Sequence, residues 1–300
     1  MAKARIAVVG AGLMGHGIAQ VFALAGHEVK ITDTVVKNLD TVASRIAANL
    51  RDLGEDERAV ERVQPSVDLT DAVHDADYVV EAVSENLALK KKLFAELERR
   101  TRPDTILASN TSVIPITAIM QDLSRRERAV GTHWWNPPFL VPLVEVIGTQ
   151  WTSPQVIATT MELHAAAGKT PAHVKKDVPG FIGNRLQHAL WREAISLVER
   201  GICDAKTVDD VVKASFGRRL AVLGPIENAD QVGTDLTLAI HEVVLPAIES
   251  RPGPSPYLRE LVANGKLGFK SGEGFQKWSP EQQAALRARV MRHLKAMRDI

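Results

Sequence analysis

The sequence contains a single cysteine, Cys203, in 300 residues. A lone cysteine excludes an internal disulfide and leaves no cysteine partner for a metal knuckle. Such low cysteine use is typical of a reducing compartment, so we expect a cytoplasmic protein without a bound metal.

An excess of either charge is also missing, because 37 Lys and Arg face 36 Asp and Glu, for a formal net charge of +1. No global positive field therefore favours nucleic acid or an anionic membrane. We expect neither partner, and instead a small molecule bound at a local site.

Long apolar runs are absent, since no stretch reaches 18 consecutive apolar residues, and no transmembrane helix is predicted. Lys3 and Arg5 precede an apolar stretch that imitates a secretory leader. Four glycines and His16 interrupt that stretch. We therefore do not expect a leader, and a better explanation of the stretch follows below.

Short β-branched runs alternate with helical patterns over the first two thirds of the chain. The strand-like runs are 4–10, 27–33, 76–83, 105–110 and 128–135. Helical spacing lies between them, at 15–25, 41–53 and 86–100. The alternation predicts an α/β fold with a doubly wound, mostly parallel sheet of Rossmann type.

Pro179 and Gly180 end this alternation, because both residues break regular structure. Helices are expected beyond them, over 184–201, 204–216, 233–249 and 281–298. The sequence thus predicts two domains: a Rossmann-type domain at 1–180, followed by a smaller all-α domain at 181–300.

A glycine-rich motif of the form GxGxxG follows the first predicted strand and opens the first predicted helix. Its residues are Gly10, Gly12, Leu13, Met14 and Gly15. Glycines in this spacing allow a tight turn, a close approach to a pyrophosphate and close packing of helix on strand. The N–H groups at the start of the helix would face that phosphate. We expect these five residues to bind a dinucleotide.

Asp33 ends the second predicted strand, 18 residues past Gly15. An acid at this point accepts hydrogen bonds from ribose hydroxyls and repels a 2′-phosphate. No arginine stands in the three positions that follow, so NAD is expected rather than NADP. The alternative is a plain glycine turn with Asp33 as a surface acid.

His133 lies at the carboxyl end of a predicted strand, where ligands bind in open α/β sheets. Twelve residues on, Glu145 is a lone acid in the apolar run PLVEVI, and such acids are rarely buried without a partner. A turn between the two runs would let the carboxylate fix the imidazole tautomer. The spacing alone leaves open a structural histidine and an exposed glutamate.

The sequence resembles the L-3-hydroxyacyl-CoA dehydrogenase family over nearly its whole length. The motifs that carry the resemblance are VVGAGLMGHGIA, SNTSVIPIT (109–117), HWWNPPFLVPLVEVI (133–147), KKDVPGFIGNRL (175–186) and GKLGFKSGEGF (265–275). The resemblance implies that His133 is the general base and Glu145 its partner. It also implies that Ser112 and Asn184 hydrogen-bond the reacting oxygen or orient the imidazole; turn formation and helix N-capping are the alternative roles of these two residues.

The same resemblance implies contacts with the nicotinamide half of NAD. The residues concerned are Glu85, Lys90, Ser112, Asn136 and Lys270. It further implies that the helical domain closes over the substrate and forms a homodimer.

The sequence departs from the thioester-specific members of this family. Those members carry a serine and a lysine that meet CoA, and a count from Asp33 puts Asn49 and Asp56 at these positions. The surrounding segment is short and acidic, so it would repel CoA phosphates. Pro142 replaces a common lysine. These features are similar to members that act on small free acids: L-gulonate 3-dehydrogenase, L-carnitine dehydrogenase and the pyridoxine-breakdown dehydrogenase.

We therefore expect reversible, NAD-linked oxidation of a secondary alcohol β to a carboxyl or thioester carbonyl. A small free hydroxy acid is favoured, and Arg218 and Arg219 offer a guanidinium fork for its carboxylate, unless they are simply an exposed basic pair. A short-chain L-3-hydroxyacyl-CoA is the close alternative as substrate. A non-catalytic NAD-binding protein on the same fold is the alternative from another class.

Overall fold

The computed structural model describes residues 3–298 and begins with a sheet of eight strands. The strands are β1 (Arg5–Val9), β2 (Glu28–Thr32), β3 (Val63–Ser66), β4 (Tyr78–Glu81), β5 (Ile106–Ser109), β6 (Ala129–Trp134), β7 (Leu143–Ile147) and β8 (Thr170–Val174). Their order in the sheet is β3-β2-β1-β4-β5-β6-β7-β8. The strands β1 to β6 are parallel, β7 is antiparallel to β6, and β8 is parallel to β7. The predicted Rossmann-type sheet is confirmed.

Two edge strands escaped prediction. β3 reads VQPS and β8 reads TPAHV, so each contains a proline and neither is a continuous apolar run. Proline is tolerated at a sheet edge because the missing N–H leaves no inner ladder bond unmade.

Helices cover both faces of the sheet, and successive residues of β1 alternate between them. Ile6 and Val8 pack into one apolar core with helices α1 and α3, while Ala7 and Val9 pack into the other with α5 and α6. The α-helices up to β8 are α1 (Leu13–Leu24), α2 (Val36–Asp40), α3 (Val42–Leu53), α4 (Leu69–Val73), α5 (Leu87–Arg100), α6 (Ile116–Met120) and α7 (Pro154–Ala166). Burial on both faces explains the continuous apolar strands seen in the sequence.

The rest of the described chain is helical, as predicted. Its α-helices are α8 (Gly183–Glu199), α9 (Ala205–Ala214), α10 (Pro225–Val232), α11 (Thr234–Val244), α12 (Pro256–Ala263) and α13 (Pro280–Ala296). The expected helix at 233–249 is too long, because Pro246 cannot continue the hydrogen-bond ladder and α11 ends at Val244. The helix expected at 204–216 likewise ends early, at Ala214.

Contacts divide the chain into two units. The first runs to Arg185 and takes in the chain again from His293, and the second spans Leu186–Arg292. The division expected near residue 180 stays a prediction. None of the helices in residues 3–298 combines the length and the hydrophobicity that a membrane span requires.

Candidate active site

The glycine-rich turn connects β1 to α1, and its backbone packs closely against neighbouring backbone at Gly10 and Gly15. Gly10 has φ of +106°, and a Cβ there would lie 2.6 Å from the Ala82 carbonyl oxygen. A Cβ on Gly15 would lie 1.6 Å from the Gly10 carbonyl oxygen. A side chain at Gly15 would push α1 away from the turn, and one at Gly10 would collide with the backbone that follows β4.

Gly12 stands in a different environment. A Cβ at this position would meet no heavy atom within 4 Å. Helix α1 begins beside it at Leu13, with no side-chain cap on its first N–H groups, and Leu13 is exposed. Open space before uncapped N–H donors and a positive helix end suits a pyrophosphate, so these residues fit a dinucleotide.

Asp33 follows β2, and its carboxylate accepts a hydrogen bond from the backbone of the glycine-rich turn. Its Oδ2 accepts hydrogen bonds from the Ala11 N–H at 2.7 Å and the Asn38 side chain at 3.0 Å, and its Oδ1 accepts from the Val35 N–H at 2.8 Å. The carboxylate thus lies next to the glycine loop, where the ribose of a dinucleotide would lie.

Arg45, on α3, is a basic residue at this loop that the sequence did not reveal. Its guanidinium donates to the carbonyl oxygens of Ala11 at 2.6 Å, Gly12 at 3.4 Å and Asn38 at 2.8 Å. Burial lowers its pKa, while the charge of Asp33 acts in the opposite direction. Because backbone carbonyls occupy this fork, it supports the loop instead of offering itself to a 2′-phosphate.

A buried charged network connects the ends of β4 and β5. Lys90 is fully buried, and its ammonium donates to Glu81 Oε1 at 2.7 Å and lies 3.3 Å from Glu85 Oε2. Glu85 Oε1 accepts from the Thr111 hydroxyl at 2.6 Å and the Ser112 N–H at 2.9 Å. Burial raises the pKa of Glu85, but the Thr111 hydrogen bond and the Lys90 charge outweigh it, so the net pKa is lowered. Glu85 is therefore ionised at neutral pH.

His133 and Glu145 face each other across the antiparallel pair β6 and β7. The imidazole Nδ1 lies 2.7 Å from Glu145 Oε2, and both side chains are buried. A carboxylate accepts only, so Nδ1 carries the proton and Nε2 is left as the basic nitrogen. This is the arrangement that a His–carboxylate pair requires to accept a proton.

The second oxygen of Glu145 is held by a turn that the sequence analysis read only as a break. Gly180 and Phe181 both have positive φ, of +76° and +50°. The next two backbone N–H groups, of Ile182 and Gly183, donate to Glu145 Oε1 at 2.8 and 3.0 Å. The signal was the DVPGFIG motif, but nothing in its residue types indicates two amides aimed at a carboxylate.

Hydrogen bonding keeps Glu145 ionised despite its burial. Burial raises the pKa of the carboxyl, and the hydrogen bonds from His133, Gly183 and Ile182 lower it by more, so the net pKa lies below the ordinary value. The Glu145 carboxylate is therefore ionised at neutral pH.

Ser112 and Asn184 lie together in the first unit. Asn184 is the second residue of α8, and its side-chain Nδ2 donates to the Ser112 carbonyl oxygen at 2.9 Å. The Ser112 hydroxyl has no hydrogen-bond partner among residues 3–298. The structure thus joins this pair to the Glu85 network through the Ser112 backbone.

Two aromatic rings that sequence reasoning missed flank the imidazole. The Trp135 and Phe181 ring centroids lie 5.2 and 5.6 Å from that of His133. Trp135 is the neighbour of Trp134 in the HWWNPP motif, and Phe181 is buried. These two apolar rings limit the access of water to the histidine.

The remaining predicted site residues are Asn136 and three residues of the helical unit. Asn136 is exposed, two residues past the end of β6. Lys270, Arg218 and Arg219 belong to the helical unit and are exposed there. Their contacts with cofactor or substrate stay predictions. In the part of the chain from 3 to 298, no group of three His, Cys, Asp or Glu is placed to hold a metal ion.

Models of known protein families match both parts of the chain. The family model described as 3-hydroxyacyl-CoA dehydrogenase, NAD binding domain, matches residues 5–178, and the model of the family's C-terminal domain matches residues 180–278.

Two curated relatives and one solved structure illustrate the range of the matches. The 5-formyl-3-hydroxy-2-methylpyridine 4-carboxylate 5-dehydrogenase of Mesorhizobium japonicum is 38% identical, over 98% of this chain and 97% of its own. A probable 3-hydroxybutyryl-CoA dehydrogenase of Deinococcus radiodurans is 39% identical, over 91% of this chain and 100% of its own.

The solved structure is that of a dehydrogenase described as acting on the same pyridine carboxylate and as an NAD⁺-dependent dismutase. It superposes with a TM-score of 0.92 at 37% identity, covering 99% of this chain and 97% of its own. Both domain models and these relatives agree, and the chain belongs to the 3-hydroxyacyl-CoA dehydrogenase family of NAD-dependent dehydrogenases.

Proposed function

We propose that this protein catalyses reversible, NAD-linked oxidation of a secondary alcohol in a small free hydroxy acid. The observation that carries the proposal is the buried His133–Glu145 pair at the carboxyl end of β6, in the same sheet whose strand β1 leads into the turn that fits a dinucleotide. A proton acceptor next to a hydride acceptor is what oxidation of an alcohol requires.

In the proposed reaction, His133 Nε2 takes the hydroxyl proton as the carbinol carbon loses its hydride. NAD, when bound, supplies the hydride acceptor. Glu145 stabilises the imidazolium that forms, and its second oxygen stays fixed by the Ile182 and Gly183 amides. The Ser112 hydroxyl and the Asn184 amide hydrogen-bond the reacting oxygen or orient the imidazole.

The cofactor is held in this proposal by two groups of residues. Gly10, Gly12, Leu13, Met14, Gly15 and Asp33 bind the adenosine and pyrophosphate half. Glu85, Lys90, Ser112, Asn136 and Lys270 serve the nicotinamide half. Since the Lys90 ammonium lies between two carboxylates, we assign it the task of holding Glu85 in place.

A free acid is preferred as substrate for two reasons. Around the turn after α3, the guanidinium groups of Arg51 and Arg58 are engaged by Glu57 and Asp56, so they are not open to the phosphates of CoA. The Mesorhizobium relative, by its name, acts on a carboxylate without CoA. Arg218 and Arg219 are the proposed partners of the substrate carboxylate. The relatives named for 3-hydroxybutyryl-CoA favour the second candidate, a short 3-hydroxyacyl-CoA.

Turnover of a substrate panel separates these candidates. We expect NADH formation with at least one small free hydroxy acid at a kcat/KM about tenfold or more above that for 3-hydroxybutyryl-CoA. The measurement is initial-rate NADH absorbance with each substrate at saturating NAD. Rapid turnover of the thioester alone refutes the free-acid proposal, and tight NAD binding without activity on any substrate supports a non-catalytic role.

Replacement of Asp33 tests the cofactor site. Asp33→Ala removes a charged acceptor, and such hydrogen bonds contribute about 1.5–3 kcal/mol, so the Kd for NAD is expected to rise by roughly tenfold to a hundredfold. The ratio of NAD affinity to NADP affinity is expected to fall, because the negative charge of Asp33 no longer repels the 2′-phosphate of NADP. Titration of bound NADH fluorescence measures both.

The matched control is Asp40→Ala, which removes the same charge from an exposed position in α2. It is expected to leave the Kd within about twofold. Equal affinities in wild type and Asp33→Ala would remove Asp33 from the cofactor site.

We extend the proposal to a homodimer formed through the helical unit. Large apolar side chains are exposed along α11, at Leu236, Leu238, Ile240, Val243 and Val244. Contiguous exposed apolar surface is typical of a protein interface. The single Cys203 suits the reducing cytoplasm, which we propose as the compartment.

A further inference from the structure

Residues 293–298, called the tail below, pack on the first unit far from their place in the sequence. The Lys295 ammonium lies 2.5 Å from Asp52 Oδ2 and donates to the Asp52 carbonyl oxygen at 3.2 Å. The Arg298 guanidinium lies 3.0 Å from Glu55 Oε1. The tail is thus fastened to the end of α3 and to the turn after it.

A cavity of about 620 Å³ lies beneath this contact. Met297 forms part of one wall, and Leu53 at the end of α3 lines it too. Phe139, Leu140 and Pro142 also line it, and these residues belong to the loop that joins β6 to β7. The cavity therefore extends from the tail to the loop between His133 and Glu145.

The β6–β7 loop is fixed by hydrogen bonds to its backbone. The Lys169 ammonium donates to the carbonyl oxygens of Pro138 and Val141 at 2.6 and 2.7 Å. Two charge-assisted hydrogen bonds at a part-buried site fix the loop's backbone. The tail, in contrast, is held by half-exposed ion pairs, which are individually weak. It is the more easily displaced wall of the cavity.

The tail lies outside the part of the chain that the family models describe. The C-terminal domain model ends at residue 278, before α13 begins. The Deinococcus relative named for a CoA substrate matches over its whole length yet covers 91% of this chain, whereas the pyridine carboxylate dehydrogenase covers 98%. The match to the pyridine carboxylate dehydrogenase thus extends over more of this chain than the match to the relative named for a CoA substrate.

We propose that the tail is a specificity-determining element. It closes the cavity between α3 and the β6–β7 loop, called the groove below, against substrates carried on a long arm. A small free acid fits within the site and never reaches the groove, whereas a pantetheine arm leaving the acyl group needs an open path. The proposal rests on the proposed dehydrogenase function and adds a steric cause for its choice of substrate.

Two variants open the groove. One ends the chain after Arg292, and the other, Lys295→Ala with Arg298→Ala, removes both ion pairs while keeping the full chain. The matched control is Arg289→Ala with Arg292→Ala, which removes two positive charges from exposed positions on the same helix. Amide hydrogen exchange over residues 49–56 reports whether the tail has left its seat.

The probes are two uncharged acetoacetyl thioesters, one of N-acetylcysteamine and one of pantetheine, so that arm length changes without any phosphate. The readout is the ratio of their kcat/KM values in NADH oxidation. We expect opening of the groove to raise the pantetheine to N-acetylcysteamine ratio about tenfold, with the control within about twofold of wild type. Where a thioester is not turned over, its Kd is measured instead, from the quenching of bound NADH fluorescence when the thioester binds. The ratio of the two affinities then replaces the ratio of the two kcat/KM values.

An unchanged ratio in every folded variant whose tail is released overturns the proposal. A larger ratio in the control pair than in the tail variants overturns it as well. The proposed function has a separate test, and it fails if the wild-type enzyme prefers thioesters to every free acid. The role of the tail is tested only by how the pantetheine to N-acetylcysteamine ratio changes between wild type and variant.

Discussion

Replacing His133 with alanine is expected to lower kcat by about two to four orders of magnitude, the usual contribution of a positioned general base. The imidazole is buried, and its Nδ1 is engaged by Glu145. No other histidine lies across a strand pair from a buried carboxylate within residues 3–298. Without the imidazole, the hydroxyl proton has no acceptor at this point, and water reaches it poorly between Trp135 and Phe181.

The Kd for NAD is expected to stay within about twofold in this variant, because the glycine turn and Asp33 make no contact with the imidazole. Steady-state kinetics with the best substrate of the panel measures kcat, and fluorescence titration measures the Kd. His173→Ala is the matched control, since His173 is an exposed residue of β8, the neighbour of β7. A His133→Ala enzyme with wild-type turnover and intact NAD binding would end the proposed mechanism.

The sequence was sufficient for five of the six parallel strands β1 to β6, and it singled out the two catalytic candidates. Strands β1, β4, β5 and β6 are buried on both faces over most of their length, so most of their residues are apolar or β-branched, and the pattern is visible. Glu145 stood out for the same reason, as a lone acid in such a run. The family resemblance then named roles that spacing alone left open.

Other features depend on long-range contacts and leave no local pattern. Arg45 is twelve residues past Asp33, yet α3 brings its guanidinium to the glycine loop. The amides of Ile182 and Gly183 act through backbone atoms, which residue types do not encode. The tail is more than 200 residues from the acids that hold it. The periodicity of apolar residues indicates helices and strands, and it does not predict any of these contacts.

Replacing Glu145 with glutamine is expected to lower kcat by about two to four orders of magnitude, although the side chain keeps its size. Both oxygens of the carboxylate accept hydrogen bonds, one from His133 and the other from the Ile182 and Gly183 amides. An amide has one acceptor and one donor end. If its oxygen stays on the backbone amides, its NH₂ faces Nδ1 and forces the proton onto Nε2, which removes the basic nitrogen.

Stability against pH gives a second readout for this substitution. The pKa of Glu145 is lowered in the folded protein, so its carboxylate contributes stability above the ordinary glutamate pKa and loses that contribution as pH falls through the lowered value. The wild type is therefore expected to exceed Glu145→Gln in free energy of unfolding most at neutral pH, with the difference shrinking on acidification. Chemical denaturation across that pH range measures the difference.

The control for both readouts is Glu162→Gln, at an exposed position in α7. It is expected to change neither kcat nor the pH dependence of unfolding. If Glu145→Gln kept its kcat while its stability difference disappeared with acid as expected, the carboxylate would serve the fold alone, and His133 would act without a partner. A loss of kcat together with the stability difference assigns Glu145 to both tasks, because one oxygen holds the imidazole and the other holds the turn at Phe181.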